Sequence, residues 1–347
     1  MVMTATATLT NTHPALRHFW HPVALEADIP DGAPHGVRLL GERWLVVRLG
    51  GRLVAMRDRC PHRLVPLSAG VVVGDEIQCA YHGYRFGADG RATSIPALPD
   101  DVPIPPKACV ATAQVAVRFG LVWLCLGDEP LDGLLDDAGY VDAGNDIFLA
   151  GPFTTHVSAG ILTDNFLDAA HFPFLHRATF GGADDGKPTL TVERAGWRLR
   201  QIDSQMVDGA HLDAPVESRA VYELAAPFSI ELRLDRPDGS DYIWSFACPV
   251  DDDTTVWYMV HAYPLSGDAA LIAAARDLQI AVGLEDLSIL EQMDDPNVPL
   301  DVRVEVHTKA DLGCLEYRRL LAELVTFARP TAAAVSTAPA ALAGAEP

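Results

Sequence analysis

Two short segments that each pair a cysteine with a histidine constrain this chain more than any other feature. They read C-P-H-R at 60–63 and C-A-Y-H at 79–82, and a hydrophobic hairpin separates them. A segment can aim both side chains at one point only if a tight loop bends the backbone around that point, and we expect Pro61 and Gly83 to supply the bend. The two loops then offer four ligands, Cys60, His62, Cys79 and His82.

The ligand types within each loop favour an iron–sulfur cluster over zinc. Two thiolates and two imidazoles could hold a structural zinc ion, but zinc modules usually combine C-x2-C with histidines on a helix. One Cys and one His per loop is the pattern that a Rieske [2Fe–2S] centre needs, because both thiolates bind one iron and both imidazoles bind the other. The sequence therefore predicts a Rieske-type cluster, with structural zinc as the alternative.

Length, charge and cysteine count restrict the class of protein. With 347 residues the chain suits one large or two ordinary domains. The net charge of −21 argues against nucleic acid or an anionic membrane as a partner. The sequence has no run of about eighteen apolar residues and no secretory signal in MVMTATATLTNT, so we expect a cytoplasmic protein. Packing roles are expected for the cysteines outside the two loops, Cys109, Cys125, Cys248 and Cys314.

The hydrophobic pattern predicts a small β module followed by a larger α+β domain. Short β-like runs with Gly-rich turns fill residues 17–128, and a Pro- and Asp-rich linker occupies 129–149. Longer alternating strands of an antiparallel sheet follow in the second domain, at 150–328. Helices at Ala269 to about Met293 and Asp311 to Phe327 close that domain. Disorder is expected at both ends of the chain, in the leader 1–16 and the Ala/Pro-rich tail 329–347.

A second group of polar residues lies early in the larger domain, in T-D-N-F-L-D-A-A-H-F-P-F-L-H at 163–176. On a helix Asn165, Asp168 and His171 would form one polar stripe, and Pro173 would then break the helix and let His176 swing back towards His171. Both imidazoles lie among Phe and Leu residues, where burial without a ligand is costly, so the sequence predicts a metal bound by both. Ordinary core or surface roles are expected for most other histidines, including His156, His211, His261 and His307.

A metal site of this kind needs a third protein ligand. Non-haem Fe(II) sites that activate O2 generally use two histidines and one carboxylate. We favour Asp286, in G-L-E-D-L-S-I-L-E-Q-M-D-D-P, and its competitors are Glu285, Asp294 and Asp295. On a helix Asp286 would share an apolar face, interrupted by Gln279, with Leu278, Val282, Ile289 and Met293. Asp168 could be a metal ligand, a surface acid, or an acceptor for the second nitrogen of His171.

With both groups of residues in view, residues 17–328 resemble the oxygenase subunits of Rieske non-haem iron oxygenases. The motifs that carry the resemblance are C-x-H-x16-C-x2-H, N-x2-D-x2-H-x4-H and E-D-x2-I-x-E, in that order. Chain length and the E-D-L-S-I-L-E segment look most like the vanillate O-demethylase and dicamba-demethylase branch. The resemblance implies an N-terminal all-β Rieske domain and a C-terminal helix-grip catalytic domain related to START and Bet v 1 proteins.

The resemblance also implies a role for each motif residue. Residues matching the two Cys–His pairs hold the [2Fe–2S] cluster, and those matching His171, His176 and Asp286 hold a mononuclear iron. The acid matching Asp168 bridges a cluster histidine of one subunit to an iron-ligand histidine of its neighbour in a head-to-tail homotrimer. Asn165 matches a position near the iron. The common H-G-W is here H-G-Y with Tyr84, for which we expect at most a small change around the cluster.

These implications lead to a hypothesis of monooxygenation. A ferredoxin or flavin reductase would pass electrons from NAD(P)H to the cluster, and O2 would hydroxylate or oxidatively demethylate a largely apolar, possibly aromatic small molecule at the iron. Aromatic-ring dioxygenation, amine oxidation and desaturation stay open, as do the substrate and the reductase. Two other classes are an electron carrier that uses only residues 17–128 and a binding module for an apolar ligand, and both leave the second metal motif without a purpose.

Overall fold

The described part of this computed structural model comprises residues 8–142, 144–180, 188–207, 216–236, 239–265 and 267–327. Before residue 130 the chain forms mainly short strands, as its alternating apolar runs and glycine turns predict. These strands are β1 (Thr8–Leu9), β2 (His21–Leu25), β3 (His35–Leu39), β4 (Glu42–Leu49), β5 (Arg52–Arg57), β6 (Val71–Val73), β7 (Glu76–Gln78), β8 (Arg85–Phe86), β9 (Ala92–Ser94), β10 (Thr112–Arg118) and β11 (Leu121–Cys125).

The strands β2 to β11 form an N-terminal module of antiparallel sheets. Their orders are β2-β11-β10-β5-β4-β3 and β6-β7-β8-β9. One Cys–His loop follows β5 and the other follows β7. Cys60 and Cys79 are both buried in an apolar cluster that includes Leu45, Ile77 and Phe86. The apolar core of the module therefore packs against both loops.

The second half of the chain has the predicted long strands and late helices. Its strands are β12 (Asp146–Thr155), β13 (Leu190–Ala195), β14 (Arg198–Val207), β15 (Val216–Ala225), β16 (Ser229–Arg236), β17 (Gly239–Asp251), β18 (Thr254–Tyr263) and β19 (Val298–Pro299). The α-helices are α1 (Ala138–Val141), α2 (Ala159–Leu167), α3 (Phe172–Leu175), α4 (Arg177–Phe180), α5 (Ala269–Leu290) and α6 (Leu312–Phe327). Short 3-10 helices lie at Pro14–His18, Glu26–Asp28, Leu67–Ala69, Val302–Val304 and Lys309–Asp311.

The strands β12 to β18 form one antiparallel sheet, in the order β12-β18-β17-β16-β15-β14-β13. One face packs against the N-terminal module, where Phe246 meets the rings of Phe119 and Trp123. The opposite face is covered by helices. Gly283 of α5 lies so close to β18 that a Cβ at this position would be 3.4 Å from the sulfur of Met259. The predicted α+β class, with an all-β module and helices over one side of an antiparallel sheet, is confirmed.

Residues 8–16 are ordered, so the prediction of a disordered leader was wrong for them. Strand β1 pairs with β19, and Leu9 is buried. The Asn11 side chain is also buried, donating to Thr255 Oγ1 at 2.9 Å and accepting from the backbone N–H of Ala159 at 3.0 Å. These contacts tie the segment to the start of α2. Residues 1–7 and the predicted disordered tail 329–347 lie outside the described residues.

The structure also tests the predictions for the linker, for the remaining cysteines and for membrane-spanning segments. Strand β12 begins at Asp146, inside the predicted linker 129–149, so the second sheet starts earlier than the pattern suggested. Cys125, Cys248 and Cys314 are buried as expected, whereas Cys109 is exposed and the packing role predicted for it was wrong. In the described part of the chain, no helix combines the length and the apolar character that crossing a membrane requires.

Two buried histidines outside the motifs predict a loss of stability in mild acid. Burial lowers the pKa of His21 to about 4 and that of His261 to about 3. Their unfolded pKa is about 6.5, so below that pH the unfolded chain binds protons that the folded chain excludes. As the pH falls from about 7.5 to 5.5, each histidine should lower the free energy of unfolding by about 1.3 kcal/mol. Urea unfolding at both pH values measures this loss, and His261→Phe should reduce it by about half. An unchanged pH dependence in that variant would contradict the assignment.

Candidate metal centres

The two Cys–His loops have the same backbone conformation. In each, the cysteine N–H donates to the carbonyl oxygen five residues on, at 2.8 Å, and the N–H four residues on donates to the cysteine carbonyl oxygen. The residue at that fourth position has a left-handed backbone, with φ of +62° at Leu64 and +70° at Gly83. Gly83 supplies the bend as predicted. In the first loop Pro61 is the first residue of the turn, as expected, but the left-handed residue is Leu64, which was not predicted.

The four side chains of these loops are arranged in two pairs. The thiol of Cys79 lies within hydrogen-bonding reach of Cys60, and the rings of His62 and His82 have centroids 4.5 Å apart. The Tyr84 ring stacks on His62 at 4.8 Å, with the two planes 7° apart. Burial, together with the nearby Cys79, raises the pKa of the Cys60 thiol. Paired thiols and paired imidazoles are the donor arrangement that a [2Fe–2S] cluster with mixed ligands requires.

A single zinc ion fits these four residues less well. Tetrahedral zinc has bonds of about 2.0–2.3 Å, which would bring its four ligand atoms within about 4 Å of one another. Among the described residues, the only group of three or more such donor atoms within 4.8 Å of one another lies elsewhere, and no three of the loop donors meet that limit. The donor set therefore fits a two-iron cluster.

The second predicted group does converge, although the local structure differs from the expected continuous helix. Helix α2 ends at Leu167, and Asp168 is extended, with φ of −80° and ψ of 104°. The short helix α3 begins after His171, with Pro173 in its first turn, so Pro173 helps to start a helix and breaks none. The prediction of one polar helical stripe was wrong. The single turn of α3, which has His171 at its N-cap and His176 at its C-cap, is what brings the two histidines together.

The two histidines meet the predicted carboxylate in a buried position. The Nε2 atoms of His171 and His176 lie 3.2 Å apart, and Asp286 Oδ1 lies 3.5 Å from the first and 3.2 Å from the second. All three donor atoms fall within 4.8 Å of one another. Asp286 is 5% exposed, and its Oδ1 has no hydrogen-bond donor among the described residues. A divalent cation would satisfy this orphaned oxygen and both imidazoles, so the residues fit the 2-His-1-carboxylate iron site.

The buried face of α5 differs from the one predicted. It consists of Gln279, Val282, Gly283, Asp286, Leu287 and Leu290. Leu278, Ile289 and Met293, which were expected to share the Asp286 face, are 40%, 52% and 45% exposed. The helix is rotated so that Gly283 rather than Leu278 packs on the sheet, where a Cβ would lie only 3.0 Å from the Phe153 ring and 3.4 Å from the Met259 sulfur. Asp286 is buried all the same.

Glu285, a competitor for the third ligand position, instead binds the outer nitrogen of His176. Its Oε2 accepts a hydrogen bond from His176 Nδ1 at 2.8 Å, and Thr179 Oγ1 donates to its Oε1. Burial acts to lower the pKa of His176, but the Asp286 and Glu285 carboxylates outweigh it and the pKa is raised. Asp294 and Asp295, the other competitors, are exposed beyond the end of α5.

Asp168 lies beside His171, and Asn165 shares a cavity wall with Asp168. Asp168 Oδ1 accepts from the N–H of Ala170 at 2.8 Å, and its Oδ2 is 3.6 Å from His171 Nδ1. Both residues line a cavity of about 280 Å³ next to the site. Sequence reasoning missed the ion pair that anchors this wall, in which buried Arg318 of α6 binds both carboxylate oxygens of Asp164, at 3.2 and 2.7 Å. Nothing in the spacing of these two residues indicated that pair.

Two family matches cover most of the chain. Residues 19–112 match the Rieske [2Fe-2S] domain, and residues 155–326 match the vanillate O-demethylase oxygenase C-terminal domain. The chain is 33% identical over 323 residues to methylxanthine N1-demethylase NdmA of Pseudomonas putida, an alignment that covers 89% of this chain and 89% of NdmA.

Solved structures agree with these matches. The structure of Pseudomonas putida CBB5 NdmA with caffeine is 32% identical and superimposes with a TM-score of 0.80, covering 91% of this chain and 93% of that one. Dicamba monooxygenase bound to 3,6-dichlorosalicylic acid superimposes with a TM-score of 0.76 over 93% of this chain and all of that one, 100%. At 18% identity, that second likeness is one of fold alone.

Proposed function

Because this chain belongs to the Rieske non-haem iron oxygenases, we propose that it is the oxygenase subunit of a monooxygenase that oxidatively demethylates or hydroxylates a largely apolar small molecule. The similarity to known members confirms the family that the motifs predicted. It also confirms the expected pair of cofactors, a Rieske [2Fe–2S] cluster and a mononuclear iron. The observation that carries the proposal is the convergence of His171, His176 and Asp286 in a chain that also has a Rieske domain.

We assign the motif residues to the two cofactors as follows. Cys60 and Cys79 bind one iron of the cluster, and His62 and His82 bind the other. His171, His176 and Asp286 bind the mononuclear iron. When bound, the cluster supplies single electrons and the iron activates O2 for insertion into a C–H bond. Buried Asp286, with its orphaned Oδ1, and the facing Nε2 atoms support the second assignment.

The proposed reaction consumes two electrons and two protons for each O2. One oxygen atom enters a C–H bond of the substrate and the other leaves as water. Where that bond belongs to an N- or O-methyl group, the hydroxymethyl product releases formaldehyde and leaves an amine or a hydroxyl group. The similarity to a methylxanthine N1-demethylase supports N-demethylation as the first possibility to test.

The helix-side face of the sheet supports an apolar substrate. Ile243, Leu232 and Tyr222 are cross-strand neighbours, and Tyr222 is the neighbour of Gln201. Gln201 donates to the carbonyl oxygen of Leu167 at the end of α2, so this row faces the helix that leads into Asp168. Apolar and aromatic side chains with few polar groups are typical of small-molecule pockets.

We propose that Asp168 connects His171 to the cluster of a neighbouring subunit. One carboxylate oxygen is fixed by the N–H of Ala170, while the side chain stays 31% exposed and can accept from a donor in a second copy. This role requires a head-to-tail homotrimer. A ferredoxin or flavin reductase that uses NAD(P)H, and a cytoplasmic location, complete the proposal.

Metal content and product release test the proposed function. Protein purified without oxygen should contain about three Fe per chain, because a [2Fe–2S] cluster and one further iron are bound. Incubation with a reductase, NADH and a panel of N-methyl and O-methyl aromatic compounds, caffeine included, should release formaldehyde in proportion to the NADH consumed. An electron carrier or an apolar binding module would contain about two Fe, and a structural zinc protein about one Zn. Either content would contradict the proposal.

A further inference from the structure

Glu285 and Asp286 are consecutive on α5 and contact opposite nitrogens of one imidazole. Glu285 Oε2 binds Nδ1 of His176 at 2.8 Å, and Asp286 Oδ1 lies 3.2 Å from Nε2. Consecutive residues of an α-helix point about 100° apart, so a single turn of α5 can reach both edges of the ring. Glu285 is not among the three residues whose donor atoms converge. Its contact with His176 therefore needs an explanation other than metal ligation.

The contact with Glu285 determines which nitrogen of His176 carries the proton. An ionised carboxylate can only accept, so Nδ1 bears a hydrogen, and in the neutral ring that binds a metal the lone pair is then on Nε2. Nε2 is the atom that faces His171 Nε2, at 3.2 Å, and Asp286 Oδ1. The lone pair that a metal needs is therefore held at the centre of the site.

Glu285 is itself fixed in place by a second donor. Thr179 on α4 donates its hydroxyl hydrogen to Oε1, while His176, just before α4, donates to Oε2. Both oxygens thus bind the same short segment, and the His176 side chain is 1% exposed. A charge-assisted hydrogen bond of this length to a buried ring restricts its rotation.

The two histidines of the site differ in how they are held. The Nδ1 atom of His171 is 3.6 Å from Asp168 Oδ2 and has no hydrogen-bond partner among the residues that the structure describes. The matching nitrogen of His176 has the 2.8 Å bond to Glu285. His176 is therefore the imidazole whose orientation this chain fixes by itself.

We propose that Glu285 is a positioning residue that presents the Nε2 lone pair of His176 to the iron and so sets how tightly the site retains the metal. The inference rests on the proposed iron site and adds to it a residue that does not touch the metal. Partners of this kind fix ring orientation and raise the basicity of a ligating imidazole, and losing one typically weakens metal binding about 10- to 100-fold.

Equilibrium binding of Fe(II) to the mononuclear site tests this inference. Full-length protein with an intact cluster is depleted of the mononuclear metal with a chelator and titrated with Fe(II) without oxygen. Glu285→Ala should raise the dissociation constant about 10- to 100-fold. Glu285→Gln should raise it less, because its amide oxygen still accepts from Nδ1. The matched control is Asp277→Ala, which removes an exposed carboxylate from the same helix and should bind Fe(II) like the wild type.

The outcomes separate this inference from the proposed function. Equal Fe(II) affinity in the wild type and Glu285→Ala would overturn the positioning role and leave the iron site standing. Equal weakening in Glu285→Gln and Glu285→Ala would also overturn it, because the retained acceptor would then have no effect. Failure of the wild type itself to take up the further Fe(II) would overturn the proposed function and this inference together. Graded weakening, Ala more than Gln, with an unchanged cluster absorption spectrum, supports the role.

Discussion

Replacement of His171 by alanine is expected to lower turnover by about 1,000-fold or more while the Rieske cluster stays assembled. A bound metal ion contributes several kcal/mol to a reaction of this kind, and each 1.4 kcal/mol corresponds to a factor of ten in rate. The variant keeps only His176 and Asp286 of the three converging donors. The cluster loops belong to a separate apolar core, so their cofactor should be unaffected. Formaldehyde release, iron content and the visible spectrum of the cluster measure the three effects.

The matched control for this variant is His156→Ala. His156 is exposed, and its Nδ1 contacts only the carbonyl oxygen of Asp253 among the bonds described, at 2.8 Å. That variant should keep about three Fe per chain and turnover close to that of the wild type. If His171→Ala also kept the third iron and retained turnover within about tenfold of the wild type, His171 would not be a ligand of the reacting metal.

Most candidate ligands of the two metal centres could be predicted from sequence because they lie in short segments. His171 and His176 are so close along the chain that a compact turn brings their side chains together, and the cluster loops place Cys60 beside Cys79 and His62 beside His82. The turn itself was harder to predict. Leu64 has a left-handed backbone in a position where Gly83 serves in the second loop, and a bulky residue is rarely expected there. Closure of the loop around the site therefore overrides the local preference of leucine.

The position of Asp286, the proposed third ligand, depends on long-range packing, which periodicity describes poorly. The pattern pointed to a face of α5 with Leu278 and Ile289, whereas the structure buries the face that contains Gly283. Which face is buried depends on the shape of the sheet beneath, at Phe153 and Met259, and the helix sequence alone does not contain that shape. Of the four neighbours predicted for Asp286 on its face, only Val282 is buried with it. The separate role of Glu285 could be seen only once α4 and α5 were placed side by side.

The leader illustrates the same limit at the other end of the chain. A polar, low-complexity composition predicted disorder, but composition does not show that one apolar side chain, Leu9, and one amide, Asn11, have buried partners far along the sequence. Asn11 accepts from the first backbone N–H of α2 and so helps to place the helix that carries Asn165. Contacts over such sequence separations follow from the fold and not from local pattern.

Asp168→Asn is expected to leave both metal centres assembled but to slow electron transfer from the reduced cluster by about 10- to 100-fold. The substitution is nearly isosteric, and the amide oxygen can still accept the N–H of Ala170, so the turn after α2 should persist. The second oxygen, which is 3.6 Å from His171 Nδ1, becomes an NH2 group that cannot accept a hydrogen bond from an imidazole N–H. Stopped-flow reoxidation of the reduced cluster by O2, with substrate present, measures the rate.

The control for this comparison is Asp295→Asn. Its carboxylate accepts the backbone N–H two residues on, from Asn297 at 2.9 Å, as Asp168 does from Ala170, but it is exposed beyond α5. That variant should reoxidise at the wild-type rate. A bridge across subunits needs one carboxylate oxygen that is held by this chain and one that can accept a hydrogen bond. Asp168→Asn should therefore also lower turnover without lowering iron content. Reoxidation of Asp168→Asn at the rate of the control would remove Asp168 from the path of the electron.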